Sequence, residues 1–300
     1  MNEVVEFESQ GAVLRGWLYR PQRVMAAPIV VMAHGFSATI RMTADRYADV
    51  LCEAGFAVLL YDHRNFGISD GDPRQQIDVW LQARGYIDAL DCVERLPGID
   101  RERIALWGDS LSGAEVIIVG AIDARVRAVV AQVPACGAEP SPPDPDAALF
   151  HAMRERLWRG GFDPPAGSVR GPLPVVSPDQ AGTPSFLPPV SAFRWFIEYG
   201  GRHGTGWENR ATLVDVARYG SYHAGLSAPH LNTPLLAIIA PEDEMPRAVP
   251  AIARQVFGAV PGEKQLVEIA GGHFGLLHWP SDEFTVAATA QRDFLRRYLA

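Results

Sequence analysis

The chain has 300 residues, 48% of them hydrophobic, with a mean hydropathy near zero and a net charge of -8. That length buries a substantial core, as one large domain or two small ones, and that charge argues against nucleic acid as a partner. No apolar run approaches the roughly 20 residues of a membrane span, and the acidic opening MNEVVEFESQ lacks a basic-then-apolar leader, so a cytoplasmic protein that does not engage a membrane is expected. Cys52, Cys92 and Cys136 are odd in number and widely spaced, a pattern of reduced thiols with no metal site.

In chain order, VVEFES and AVLRGWLYRP alternate as an antiparallel pair of strands. The character then changes. PIVVMAHG (28–35), AVLLYDHR (57–64), RIALWGDS (103–110), VRAVVAQVP (126–134), PLLAIIAP (234–241) and KQLVEIAG (264–271) are short, nearly continuous apolar runs. Such runs suit strands covered on both faces, as in a parallel sheet. Helical periodicity lies between them, as at Ile77, Trp80, Leu81, Ile87, Leu90 and Val93. A last helix over 281–299 opens on Ser281-Asp282-Glu283 and closes on Arg296-Arg297, charges that complement its dipole. Alternation of this kind predicts an α/β fold: a mostly parallel central sheet with helices on both faces.

One segment breaks the rhythm. Residues 1–134 and 233–300 read as the core, and residues 135–232 as a cap or lid inserted after the sixth strand. The stretch 140–189 holds half of the chain's 24 prolines and is expected to be irregular. From Ser191 aromatics return, at Phe193, Trp195, Phe196, Tyr199, Trp207, Tyr219 and Tyr222, and they need something to bury against.

The chemistry centres on LWGDSLSGA, Leu106 to Ala114. A nucleophile elbow needs small residues two positions either side of the serine. Ser110 has Gly108 and Ser112 there. Ser112 has Ser110 and Ala114, without a glycine where the backbone turns. With the strand RIALW ending at Trp107, Ser110 is the apex and the expected nucleophile. Ser112 reads as a small packing residue that helps the helix start. A serine hydroxyl needs a general base, and the base an orienting carboxylate. Asp243, just past PLLAIIAP, and His273, just past KQLVEIAG, supply them in chain order. Glu242 and Glu244 are rivals to Asp243, and His278 a weaker rival to His273, since LLHW reads as the start of the final helix. The backbone amides of Phe36, in AHGF, and of Leu111 are the expected oxyanion hole. His34 is expected to be a buried structural residue, and Asp62 an anchor for the loop DHRNFGISDG.

AHGF, YDHRNFGISDGDPR, ALWGDSLSG, APEDEM and GGHF, in this order, resemble the α/β-hydrolase superfamily from about Pro28 onward. The likeness is closest to dienelactone-hydrolase-like and X-Pro-dipeptidyl-peptidase-like members, where a serine at the slipped position is usual, and it extends to fungal polyketide acyltransferases. Asn65 replaces the usual glycine of D-H-R-G-F-G, and Ala114 the second glycine after Ser112. The expected activity is hydrolysis of a neutral, largely apolar carboxylic ester or lactone through an acyl-Ser110 intermediate, without metal or organic cofactor. The same residues serve acyl transfer to an alcohol or amine in secondary metabolism, or carbon–carbon bond hydrolysis. The expected partner is the small-molecule ester substrate, and the apolar cap is a candidate homodimer face.

Overall fold

The computed structural model describes residues 3–22, 25–162, 164, 166–215 and 221–299; Tyr219 lies outside them. The strands run in chain order β1 (Glu3–Ser9), β2 (Ala12–Tyr19), β3 (Ala27–Ala33), β4 (Ala57–Tyr61), β5 (Gln76–Ile77), β6 (Ile99–Asp109), β7 (Val126–Gln132), β8 (Val169–Leu173), β9 (Ala211–Val214), β10 (Leu235–Ile239) and β11 (Lys264–Glu268). The helices are α1 (Ala44–Glu53), α2 (Val79–Val93), α3 (Ser110–Ile122), α4 (Ala148–Arg159), α5 (Val190–Gly200), α6 (Ala224–Ser227), α7 (Pro250–Ala259) and α8 (Asp282–Leu299).

Eight strands form one sheet in the order β1-β2-β4-β3-β6-β7-β10-β11. β1 pairs antiparallel with β2, and β2 with β4; every other neighbour is parallel. The expected mostly parallel sheet is therefore present, with the antiparallel hairpin at one edge. The apolar runs work as two-faced strands. Ile29 and Val31 join a core with α2, α3 and α7, while Val30 and Met32 join a second core with α1 and α8. Burying one such side chain contributes about 1.5–3 kcal/mol, and a strand can do so on both faces only when helices cover both. The sheet's carboxyl edge, where β3, β6, β7, β10 and β11 end, carries the loops that matter for chemistry.

Between β7 and β10 the chain builds α4, β8, α5, β9 and α6. The proline-dense half is less irregular than expected. Asp144 accepts the N–H groups of Leu149 and Phe150 at the start of α4, which buries Phe150, Met153 and Leu157 against α2 and α6. A second, three-stranded sheet runs β5-β9-β8, so two strands of the inserted segment join one that precedes β6. Trp195 and Phe196 of α5 pack on Phe274, with Trp195 stacked at 5.2 Å. Among the described residues no helix is long and apolar enough to cross a membrane.

Candidate active site

β6 runs two residues past the end expected at Trp107, with Gly108 registered against Ala33 of β3 and Ala131 of β7. The chain then reverses into α3 through Ser110, whose φ is +53°. A side chain at Gly108 would collide with the backbone carbonyl of Ser112, and one at Gly113 would lie 3.0 Å from the Gln132 carbonyl oxygen. Gly108 must stay bare, and Gly113 leaves only a tight fit, for strand and helix to meet at this angle. Ser110 is not alone in its strain. Phe36, after β3, has φ +46° and Val133, after β7, has φ +38°. Non-glycine residues avoid this region, and three at the carboxyl ends of adjacent strands mark a site where geometry is held against local preference. The loops are tied to the elbow: the Ala135 N–H donates to the Ser110 carbonyl at 2.7 Å. A Cβ added to Gly35 would lie 2.5 Å from the Asp109 carbonyl oxygen and 2.7 Å from Ser110 Cβ.

Asp243 follows β10 in a turn closed by its own N–H on the Ala240 carbonyl. Its Oδ1 accepts the Met245 N–H at 2.9 Å, and its Oδ2 lies 2.6 Å from Nδ1 of His273, in the loop after β11. Both side chains are 2% exposed. With Nδ1–H donated to the carboxylate, Nε2 is the nitrogen left to exchange a proton. Of the rivals, Glu242 is exposed. Glu244 instead accepts the His273 backbone N–H at 2.9 Å and the Ser191 hydroxyl, anchoring the loop that carries the imidazole. His278 does not begin the final helix. It follows a 3-10 turn, Gly275–Leu277, with its ring edge-on to Tyr199, and α8 starts later, at Asp282, after Ser281 accepts the Phe284 N–H.

Ser110, His273, Phe36 and Leu111 line one cavity of about 510 Å³. Its walls are mainly apolar, with Phe186, Trp195, Phe196, Leu213 and Met245 among them, and it carries Arg170, Arg247 and Asp215 besides. Trp195, Phe196, Phe186 and Leu213 come from the inserted segment.

Residues 25–161 match the family described as serine aminopeptidase, S33. Over 297 residues the chain is 27% identical to the quorum-quenching protein AidA of Acinetobacter baumannii, covering 98% of this chain and 94% of that one. Over 308 residues it is 29% identical to the polyketide transferase grgF of Penicillium sp, covering 99% and 96%. The crystal structure of the α/β-hydrolase GrgF from Penicillium sp. sh18 superposes with a TM-score of 0.76 at 28% identity, covering 100% of this chain and 99% of that one. The chain has the α/β-hydrolase fold.

A polar network that no sequence motif announces lies beneath the elbow. Ser112 is no mere packing residue: its Oγ is 2.8 Å from His63 Nε2, 2.9 Å from Glu115 Oε2 and 3.0 Å from the His34 carbonyl oxygen. Burial pushes the Glu115 carboxyl up to about 8 and the His63 imidazole down to about 3, so both are neutral at pH 7. His34 donates from Nε2 to the Met42 carbonyl at 2.7 Å, and its Nδ1 lies 2.9 Å from Asp109 Oδ2. Burial opposes its protonation, but the Asp109 charge and hydrogen bond, the Met42 carbonyl and the Asp45 charge together outweigh that and raise it. The signal was present as Glu115, the one ionisable side chain on α3. Asp62 does anchor its loop, accepting the N–H groups of Ile40 and Ile68, while burial lifts it to about 6.

Proposed function

We propose that this chain is a serine hydrolase that cleaves a carboxylic ester, lactone or thioester of a largely apolar small molecule through an acyl-Ser110 intermediate. The observation that carries the reading is the 2.6 Å Asp243–His273 contact opening onto the cavity that holds Ser110 at a left-handed elbow. Ser110 Oγ attacks the carbonyl carbon while its proton passes to His273 Nε2. Asp243 fixes the tautomer and stabilises the imidazolium. The carbonyl π pair moves onto oxygen, where the amides of Phe36 and Leu111 receive the charge. Collapse expels the alcohol or thiol, which leaves with the proton from Nε2. Water then repeats the sequence, releasing the acid. Residues 135–232 act as the cap, and its aromatic lining selects apolar acyl groups. The three cysteines are unpaired, which fits the reducing cytoplasm.

The apolar cavity walls and the likeness to a polyketide transferase favour a second reading, in which the acyl group passes to an alcohol. A panel of acyl esters, lactones and thioesters, assayed with and without acceptor alcohols, tests both. Turnover of at least one member, abolished in Ser110→Ala, is expected. New ester products formed at the expense of acid identify transfer. Full turnover by Ser110→Ala contradicts both readings.

A further inference from the structure

Ser112 stands two residues past Ser110, and its hydroxyl is buried among three polar atoms: Glu115 Oε2, His63 Nε2 and the His34 carbonyl oxygen. A hydroxyl has one proton to give and two lone pairs to receive. A carbonyl only accepts, so the Ser112 proton goes to His34, and the other two neighbours must donate. Neutral His63 donates from Nε2, its Nδ1 having no partner, and Glu115 donates from a protonated Oε2, its Oε1 having none either. Protonation of Glu115 is therefore what leaves the Ser112 proton available for the carbonyl.

That carbonyl belongs to the peptide unit joining His34 to Gly35. The N–H of the same unit donates to Asp109 Oδ1 at 3.0 Å. The residue before the nucleophile and the residue two past it thus hold this peptide at both ends. The next peptide unit carries the Phe36 N–H. From this double grip we infer that Ser112 and Asp109 are positioning residues that aim the Phe36 amide at the reacting carbonyl oxygen, with Glu115 as the neutral donor behind Ser112. The inference rests on the assignment of Ser110 as nucleophile and Phe36 as oxyanion donor.

The groups that face Glu115 set how it responds to pH. Ser112 shares its helix. Asp109 at the end of β6 and Asp78 at the start of α2 are acidic, and both disfavour a second negative charge. Tyr61 of β4, Tyr86 of α2 and Tyr222 of the inserted segment also surround it, each kept neutral by burial, along with neutral His63. Once Glu115 ionises it accepts the Ser112 proton instead, and the His34 carbonyl is released.

The test measures kcat and KM on one neutral ester from pH 6 to 10 for the parent, Ser112→Ala, Glu115→Gln and Ser110→Ala, with thermal melts of each. Ser112→Ala is expected to lose about 10- to 100-fold in kcat, less than removal of an oxyanion donor itself, with KM within about twofold. Parent kcat should decline above pH 8. Glu115→Gln donates from its amide at every pH and should hold its kcat there. Parent-like kcat in Ser112→Ala, a KM that rises in step with the loss, or an alkaline decline shared by Glu115→Gln and the parent overturns the inference. If Ser112→Ala does not fold, the Glu115→Gln profile decides. Full activity in Ser110→Ala sinks the nucleophile assignment and this inference together; its silence beside an unimpaired Ser112→Ala sinks this inference alone.

Discussion

Gly35→Ala is the sharpest perturbation of the contact between oxyanion loop and elbow. Gly35 does not have positive φ, so the substitution acts through space alone. The new methyl would lie 2.5 Å from the Asp109 carbonyl oxygen, 2.7 Å from Ser110 Cβ and 3.0 Å from the Leu111 nitrogen. An ordinary contact begins near 3.4 Å, so loop and elbow must part by about 0.9 Å, and two of the three obstacles are backbone atoms that cannot swing aside. Overpacking of this kind costs about 1–3 kcal/mol. A misplacement near 1 Å at a reacting centre costs about 100-fold in rate. The expected result is a melting temperature a few degrees lower and kcat about 100-fold lower, with KM little changed. Gly258→Ala is the control: it sits near the end of α7 with nothing within 4 Å of the added Cβ, and should gain about 0.5–1 kcal/mol without altering turnover. Gly35→Ala with parent melting temperature and parent kcat would refute the close approach of loop to elbow.

Asp243→Asn should lower kcat by about 10³- to 10⁴-fold, since the amide favours the wrong imidazole tautomer; Glu244→Gln, whose carboxylate accepts from the His273 backbone and the Ser191 hydroxyl, should lose roughly tenfold or less, and a reversed ranking in steady-state assays would move the acid. Glu115 ionises near 4.5 when unfolded and about 8 when folded. Its contribution to stability is therefore full below pH 4.5 and lost as pH rises to 8, at about 1.4 kcal/mol per unit and at most about 5 kcal/mol in all. Urea titrations from pH 5 to 8 should show parent stability falling relative to Glu115→Gln; parallel curves would contradict a neutral buried carboxyl. Asn65 has φ +75° and donates from Nδ2 to the Gln76 carbonyl at 3.0 Å. Asn65→Ala should cost about 1–2 kcal/mol, whereas Asn65→Gly, free of the φ penalty, should cost less by differential scanning calorimetry.

The sheet was legible because its strands write their two-sided burial into the sequence: Ile29 to Met32 and Leu235 to Ile239 are apolar at every position. The elbow was legible for the opposite reason: the flanks of Ser110, Gly108 and Ser112, are small, and at Gly108 a side chain would strike the Ser112 backbone. The departure at Asn65 has a local explanation: the position takes a left-handed conformation that suits glycine, and asparagine is the residue that next best tolerates it. Helix α4 was masked by the prolines around it, though its own 12 residues contain none. The network around Ser112 was hidden because its members come from three places in the chain, with His63 49 positions away, and no local pattern encodes their meeting. The small β5-β9-β8 sheet escaped too, its strands being too short for alternation to show.

The most direct measurement of the central claim is the position of a trapped acyl or phosphonyl group. The protein is treated with a fluorophosphonate or a slow acyl ester, digested, and the modified peptide is sequenced by mass spectrometry. One adduct on Ser110 is predicted, absent in Ser110→Ala, retained in Ser112→Ala and slowed at least 100-fold in His273→Ala. An adduct on Ser112, or undiminished labelling of Ser110→Ala, would contradict the account.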